Sequence, residues 1–209
     1  TSATGSLTRV ASRRGMGSAE IRPIWEQKEN VEKIPNPVLR TPKTVTVLGA
    51  PISWGQPLAG TDSGPKMIRD AGLMQALKKM GWRIDDRGDV DTTAPSEEEM
   101  RLDEAYARKT GANVRNAAAL GRMLHTLAVQ AEAAAKRRDF CLTVGGDHSI
   151  SLGSLAGILA VRPETGVIWV DAHGDLNTPH TSETGNLHGM PVGMLMAADD
   201  YRTQVPGFK

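Results

Sequence analysis

Short β-branched runs that alternate with segments of helical period constrain this chain more than any other feature. From Thr44 the sequence TVTVLGAPI reads as a buried strand. A loop dense in Gly and Pro follows. Pro65 then suits the first turn of a helix running to about Met80. Met67, Ile68, Ala71, Leu73, Met74 and Leu77 give that helix a broad apolar face, and Gly81 fits its C-terminal cap. Trp82–Asp86 reads as a second strand and Asp91–Glu99 as a polar connection. A long helix is expected from about Asn113 to Arg138, with Leu120, Leu124, Leu127 and Ala131 on one face. Then come a strand at Phe140–Val144, a helix at Ser149–Val161, a strand at Gly166–Val170, a loop to about Gly189, and a last helix over Val192–Asp199. Strand-then-helix order predicts an α/β domain, a three-layer α/β/α arrangement around a mostly parallel sheet.

Composition narrows the function classes. The 209 residues carry 25 basic and 24 acidic side chains, a net charge of +1, which disfavours an electrostatic nucleic-acid binder. Cys141 is the single cysteine, so neither a disulfide framework nor a Cys-based zinc site is available. No apolar run approaches the roughly 20 residues of a membrane span. Residues 1–43 form a lead-in to the domain at 44–209. Residues 1–19 include Arg9, Arg13 and Arg14 with many Ser and Thr and no acid. That profile fits a mitochondrial transit peptide, and equally a plain tail in a cytoplasmic protein.

The chemistry lies where histidines gather. Four of the five, His148, His173, His180 and His188, fall within a 41-residue stretch, while His125 sits alone on the polar flank of the long helix. No glycine-rich phosphate loop joins a strand to a helix, and no serine sits in a G-x-S-x-G elbow. In VGGDHSISLGS, Gly145 and Gly146 end a strand and His148 precedes a helix, the position at which open α/β sheets bind ligands. Asp147 or Ser149 there could serve only as a helix cap. Directly after the strand ending at Val170, Asp171, His173 and Asp175 alternate as D-x-H-x-D. Continued extension would put all three on one face of the chain. Two carboxylates and an imidazole converging there call for a divalent cation, and such donors suit Mn²⁺, Zn²⁺ or Fe²⁺.

The combination of GGDHS, DAHGDLNTP and GNLHGMPVG resembles the ureohydrolases, and within them the arginases, over about Thr44 to Lys209. Agmatinases share the GGDHS and DAH-x-D elements, whereas the N-T-P…T-G-N-L-H-G stretch is similar to arginase. The resemblance implies an arginase-like fold and a binuclear Mn²⁺ site that cleaves L-arginine to L-ornithine and urea. His148, Asp171 and Asp175 would bind one ion, and Asp171 would bridge to a second held by His173. His188 would protonate the leaving amine as the catalytic proton carrier. Asn177 and Thr184 would hold the substrate's α-carboxylate, with His173 at the same site. The family is commonly a homotrimer.

One departure stands beside this. The family's later D-x-D-x-D-P segment, which supplies two further metal-binding aspartates, does not occur in these 209 residues. Asp199–Asp200 has the wrong spacing to replace it. The chain is therefore expected to be the N-terminal part of an arginase-like domain and to be inactive alone. The other readings are an agmatinase-type enzyme, or a non-catalytic short form that associates with full-length subunits.

Overall fold

The computed structural model describes residues 43–196 and Pro206. The lead-in, the targeting segment and the end of the last expected helix lie outside these residues. Three parallel strands are hydrogen-bonded in the order β2-β1-β3, with β1 at Thr44–Ala50, β2 at Arg83–Asp89 and β3 at Phe140–Gly145. Val45 pairs with Ile84 on one side and with Phe140 on the other. β1 is thus central, and its residues from Val45 to Ala50 are all buried.

The period-2 alternation of β1 divides the core in two. Val45 and Val47 face one way, with Val144, and pack against Leu73, Met74 and Leu77 of a short helix, α2 (Leu73–Lys79). Leu48 and Ala50 face the other way, toward Leu120, Leu124 and Leu127 of α4 (Ala117–Lys136) and Leu152 of α5 (Ile150–Val161). Helices therefore cover both faces, giving the expected three layers.

The helix expected from Pro65 to Met80 is two helices, α1 (Gly64–Asp70) and α2. They break at Gly72, whose φ of 102° lies in the left-handed region that an α-helix cannot contain. A second difference is α3 (Glu97–Thr110), which begins at the end of the polar connection expected over Asp91–Glu99 and fills residues 100–110, to which no element was assigned. It buries no side chain, so it has no apolar stripe to betray it. Its signal is a capping box: the Ser96 hydroxyl accepts from the Glu99 amide at 3.2 Å, and the Ser96 amide donates back to Glu99 at 2.9 Å. Glu99 also holds Arg122 of α4 at 2.8 Å, and the guanidinium keeps the Glu99 carboxyl below its ordinary range. Ser96→Ala is expected to cost about 1 kcal/mol, a fall of about 2–4 °C in the melting temperature, read by thermal denaturation.

The segment 166–170 does not join the sheet, which corrects the strand expected there. An apolar run becomes a strand only with a ladder partner, and among the described residues none pairs with it. Ile168 and Val170 are each 91% exposed. The segment nevertheless delivers Asp171 to the end of β3. The last helix, α6, is seen at Pro191–Met196. No described helix is long and apolar enough to cross a membrane.

Candidate metal centre and adjoining cavity

The site begins at the carboxyl end of β3. Gly146 turns the chain so closely against β1 and its following loop that a Cβ there would lie 2.4 Å from the carbonyl oxygens of both Ala50 and Ile52. The turn carries His148 to the start of α5. Asp171, His148 and Asp175 then meet: His148 Nδ1 lies 3.0 Å from Asp171 Oδ2 and 3.1 Å from Asp175 Oδ2. One ligand atom from each residue falls within 4.8 Å of the others.

The convergence is not reached by continued extension, as the alternation predicted. The chain bends after Val170, and Asp175 takes a left-handed conformation with φ of 46°, one that Asp tolerates better than most residues. The amides of Val192 and Gly193, in the first turn of α6, both donate to the Asp175 carbonyl at 3.1 Å and fix this bend. His173 does not join the three-residue cluster. Its side chain is 83% exposed, with Nδ1 3.7 Å from Asp171 Oδ1, the carboxylate oxygen turned away from His148. The His173 amide donates to that same oxygen at 2.8 Å, and this bond leads the causes that hold the Asp171 carboxyl below its ordinary range.

These residues fit a divalent cation. Asp175 Oδ2 is buried and makes no hydrogen bond, although His148 Nδ1 lies 3.1 Å away. A buried carboxylate oxygen is costly to leave unsatisfied. The His148 ring is also held flat against Trp169, with centroids 4.8 Å apart and planes 16° from parallel, which sets the direction of its Nδ1.

Beside the cluster opens a cavity of ≈ 470 Å³. His173, Asp175, Asn177, Thr184 and His188 line it, so one site gathers the three expected substrate-binding residues, His173, Asn177 and Thr184, and the expected proton carrier. Its far wall is tied down from a distance. Asn113, in the α3–α4 connection, donates from Nδ2 to the carbonyls of Ser182 and Glu183, both at 3.2 Å. His188 is anchored by Gly55, in the loop after β1. Its amide donates to the Gly55 carbonyl at 3.1 Å and its Nδ1 lies 2.9 Å from the same oxygen. A carbonyl only accepts, so Nδ1 carries the ring proton of neutral His188 and Nε2 is left bare. Asp147, whose capping role was left open, is 4% exposed and accepts from the amides of both Ser149 and Gly55. The roles of Gly55, Asn113 and Trp169 escape local pattern reading, because each acts on a residue at least 20 positions away along the chain.

Fold and centre together define an α/β protein with a metal-type cluster at the carboxyl end of its sheet. The family model described as the arginase family matches residues 43–204. Arginase-1 of Xenopus laevis is 40% identical over 168 residues, 79% of this chain and 50% of that protein. The native arginase of Bacillus caldovelox superposes with a TM-score of 0.67 at 34% identity, covering 80% of this chain and 54% of that one. The arginase of Entamoeba histolytica, solved in complex with L-ornithine, gives 0.63 at 27% identity over 81% of this chain and 55% of that one. This chain belongs to the arginase family, a family of ureohydrolases. It spans about half the length of the curated relatives it matches.

Proposed function

We propose that the cavity binds L-arginine and that the site hydrolyses its guanidinium group to L-ornithine and urea. The observation that carries this reading is the convergence of His148, Asp171 and Asp175 beside a cavity lined by Asn177, Thr184 and His188. The complex of the Entamoeba histolytica relative with L-ornithine supports the product assignment. His148, Asp171 and Asp175 would hold one Mn²⁺. Asp171, through its other oxygen, and His173 would serve a second. When bound, such paired cations lower the pKa of water toward neutrality and so supply a nucleophile.

The chain's own residues do the rest. Asn177 and Thr184 offer an amide and a hydroxyl to the α-carboxylate and so place the guanidinium at the cation end of the cavity. Hydrolysis adds one water: its oxygen stays in urea, the bond from the guanidinium carbon to the side-chain nitrogen breaks, and that nitrogen gains a proton. With Nδ1 committed to Gly55, His188 has the bare Nε2 with which to take up the proton that the added water releases and hand it to the leaving nitrogen. Asp171 and His173 alone give the second cation only two protein ligands. The 209-residue chain by itself is therefore expected to release urea at no more than a trace rate, and robust turnover would contradict that.

Recognition of the α-carboxylate separates this reading from an agmatinase-type one. A hydrogen bond to a charged group is worth about 1.5–3 kcal/mol, at least about tenfold in affinity. With Mn²⁺ present, L-ornithine should bind about tenfold or more tightly than putrescine, which lacks the carboxylate, as read by isothermal titration calorimetry. Tighter binding of putrescine would overturn the assignment to arginine in favour of agmatine.

A further inference from the structure

We propose that Asp147 is a positioning residue for His188, acting through the backbone of Gly55, and that it commits His188 to the tautomer protonated at Nδ1. The inference rests on the reading of His188 as the proton carrier. Asp147 lies outside the metal cluster and does not line the cavity. It is nonetheless a carboxylate buried to 4% exposure, which needs full hydrogen bonding to persist. One oxygen, Oδ1, accepts from the amide and the hydroxyl of Ser149. The other, Oδ2, accepts from the Gly55 amide at 2.8 Å across 92 residues of sequence. A helix cap needs only the first of these.

The second bond fixes the peptide whose next carbonyl receives His188. That carbonyl takes both the His188 amide, at 3.1 Å, and the ring Nδ1, at 2.9 Å. The preceding residue is held too, since Asn116 Nδ2 donates to the Trp54 carbonyl at 2.9 Å. The fit leaves no slack: a Cβ on Gly55 would come within 2.8 Å of both Asp147 Oδ1 and Ser149 Oγ. Asp147 thus fixes the Gly55 backbone, and that backbone fixes which His188 nitrogen is bare.

The test reads the tautomer and needs neither metal nor turnover. Long-range ¹H–¹⁵N spectra of the histidine-labelled 209-residue chain, taken at one pH above the ordinary histidine range, should show His188 protonated at Nδ1. Asp147→Asn turns an N–H₂ group toward one of the two donors, Gly55 or Ser149. It should lower the Nδ1-protonated share severalfold and speed exchange of the His188 amide. Ser149→Ala, which spares the Gly55 contact, should leave the tautomer as in the parent chain. An unchanged tautomer in Asp147→Asn, or a parent chain protonated at Nε2, would overturn the proposal. Should Asp147→Asn lose its circular dichroism, Asp147→Ala gives the same readout without the misplaced donor. A preference for putrescine in the binding assay would end the arginine reading yet leave this result standing, and the converse holds.

Discussion

Gly146→Ala is expected to destabilise the chain by about 3 kcal/mol, a fall of about 6–12 °C in melting temperature for a protein of this size. The added methyl would meet the Ala50 and Ile52 carbonyl oxygens at 2.4 Å and the Ile52 amide nitrogen at 2.6 Å. All three are backbone atoms, two of them in hydrogen bonds that close the turn. The Gly146 amide donates to Ala50 and the Asp147 amide donates to Ile52. No flexible side chain can swing aside, so β1 and the β3 turn must separate. Since that turn carries Asp147 and His148, the same substitution should weaken metal binding as well as stability. Chemical denaturation with and without Mn²⁺ reads both. A variant as stable as the parent would show that the turn can relax without moving the strand.

Asp175→Ala should have a similarly large effect, through the cation. A ligand present at about 100 times its dissociation constant stabilises the folded state by about 2.7 kcal/mol, or about 5–10 °C here at about 2–4 °C per kcal/mol. Saturating Mn²⁺ should raise the melting temperature of the parent chain by this much and leave Asp175→Ala unmoved. Without metal the variant is expected to melt within about 2–4 °C of the parent, because Ala suits the left-handed φ of 46° less well than Asp, which works against the relief of removing the carboxylate. Its buried Oδ2 makes no hydrogen bond to lose, and removing an unsatisfied carboxylate relieves a desolvation cost. A parent chain indifferent to Mn²⁺, or a variant that keeps the full shift, would count against Asp175 as a ligand.

The parts of the fold legible in the sequence are those whose pattern is local. β1 and β3 are short runs of β-branched and apolar residues, and α4 repeats leucine at helical spacing, so each stands near its expected place. α3 was hidden because nothing on it is buried; only Ser96 and Glu99 mark it. Gly72 splits one expected helix because a single left-handed residue outweighs the apolar face running through it. The run 166–170 has strand composition, but composition cannot supply a neighbour.

The centre divides the same way. GGDH and D-x-H-x-D name the three residues that converge, since their types and their position after strands are local facts. The route of convergence was not legible. It depends on the left-handed Asp175 and on the α6 amides that hold its carbonyl. Equally hidden was the tie from Asp147 through Gly55 to His188, whose two links join residues 92 and 133 positions apart.

The most direct test of the metal centre is an equilibrium titration of the 209-residue chain with Mn²⁺, following the free ion by electron paramagnetic resonance, with Asp171→Asn in parallel. Asp171 has one oxygen toward His148 and the other toward His173, so it is the residue that both cations would share. The parent chain should bind Mn²⁺ saturably, and Asp171→Asn should lose that binding while keeping its fold by circular dichroism. Equal affinity and stoichiometry in the two proteins would contradict a metal centre built on His148, Asp171 and Asp175.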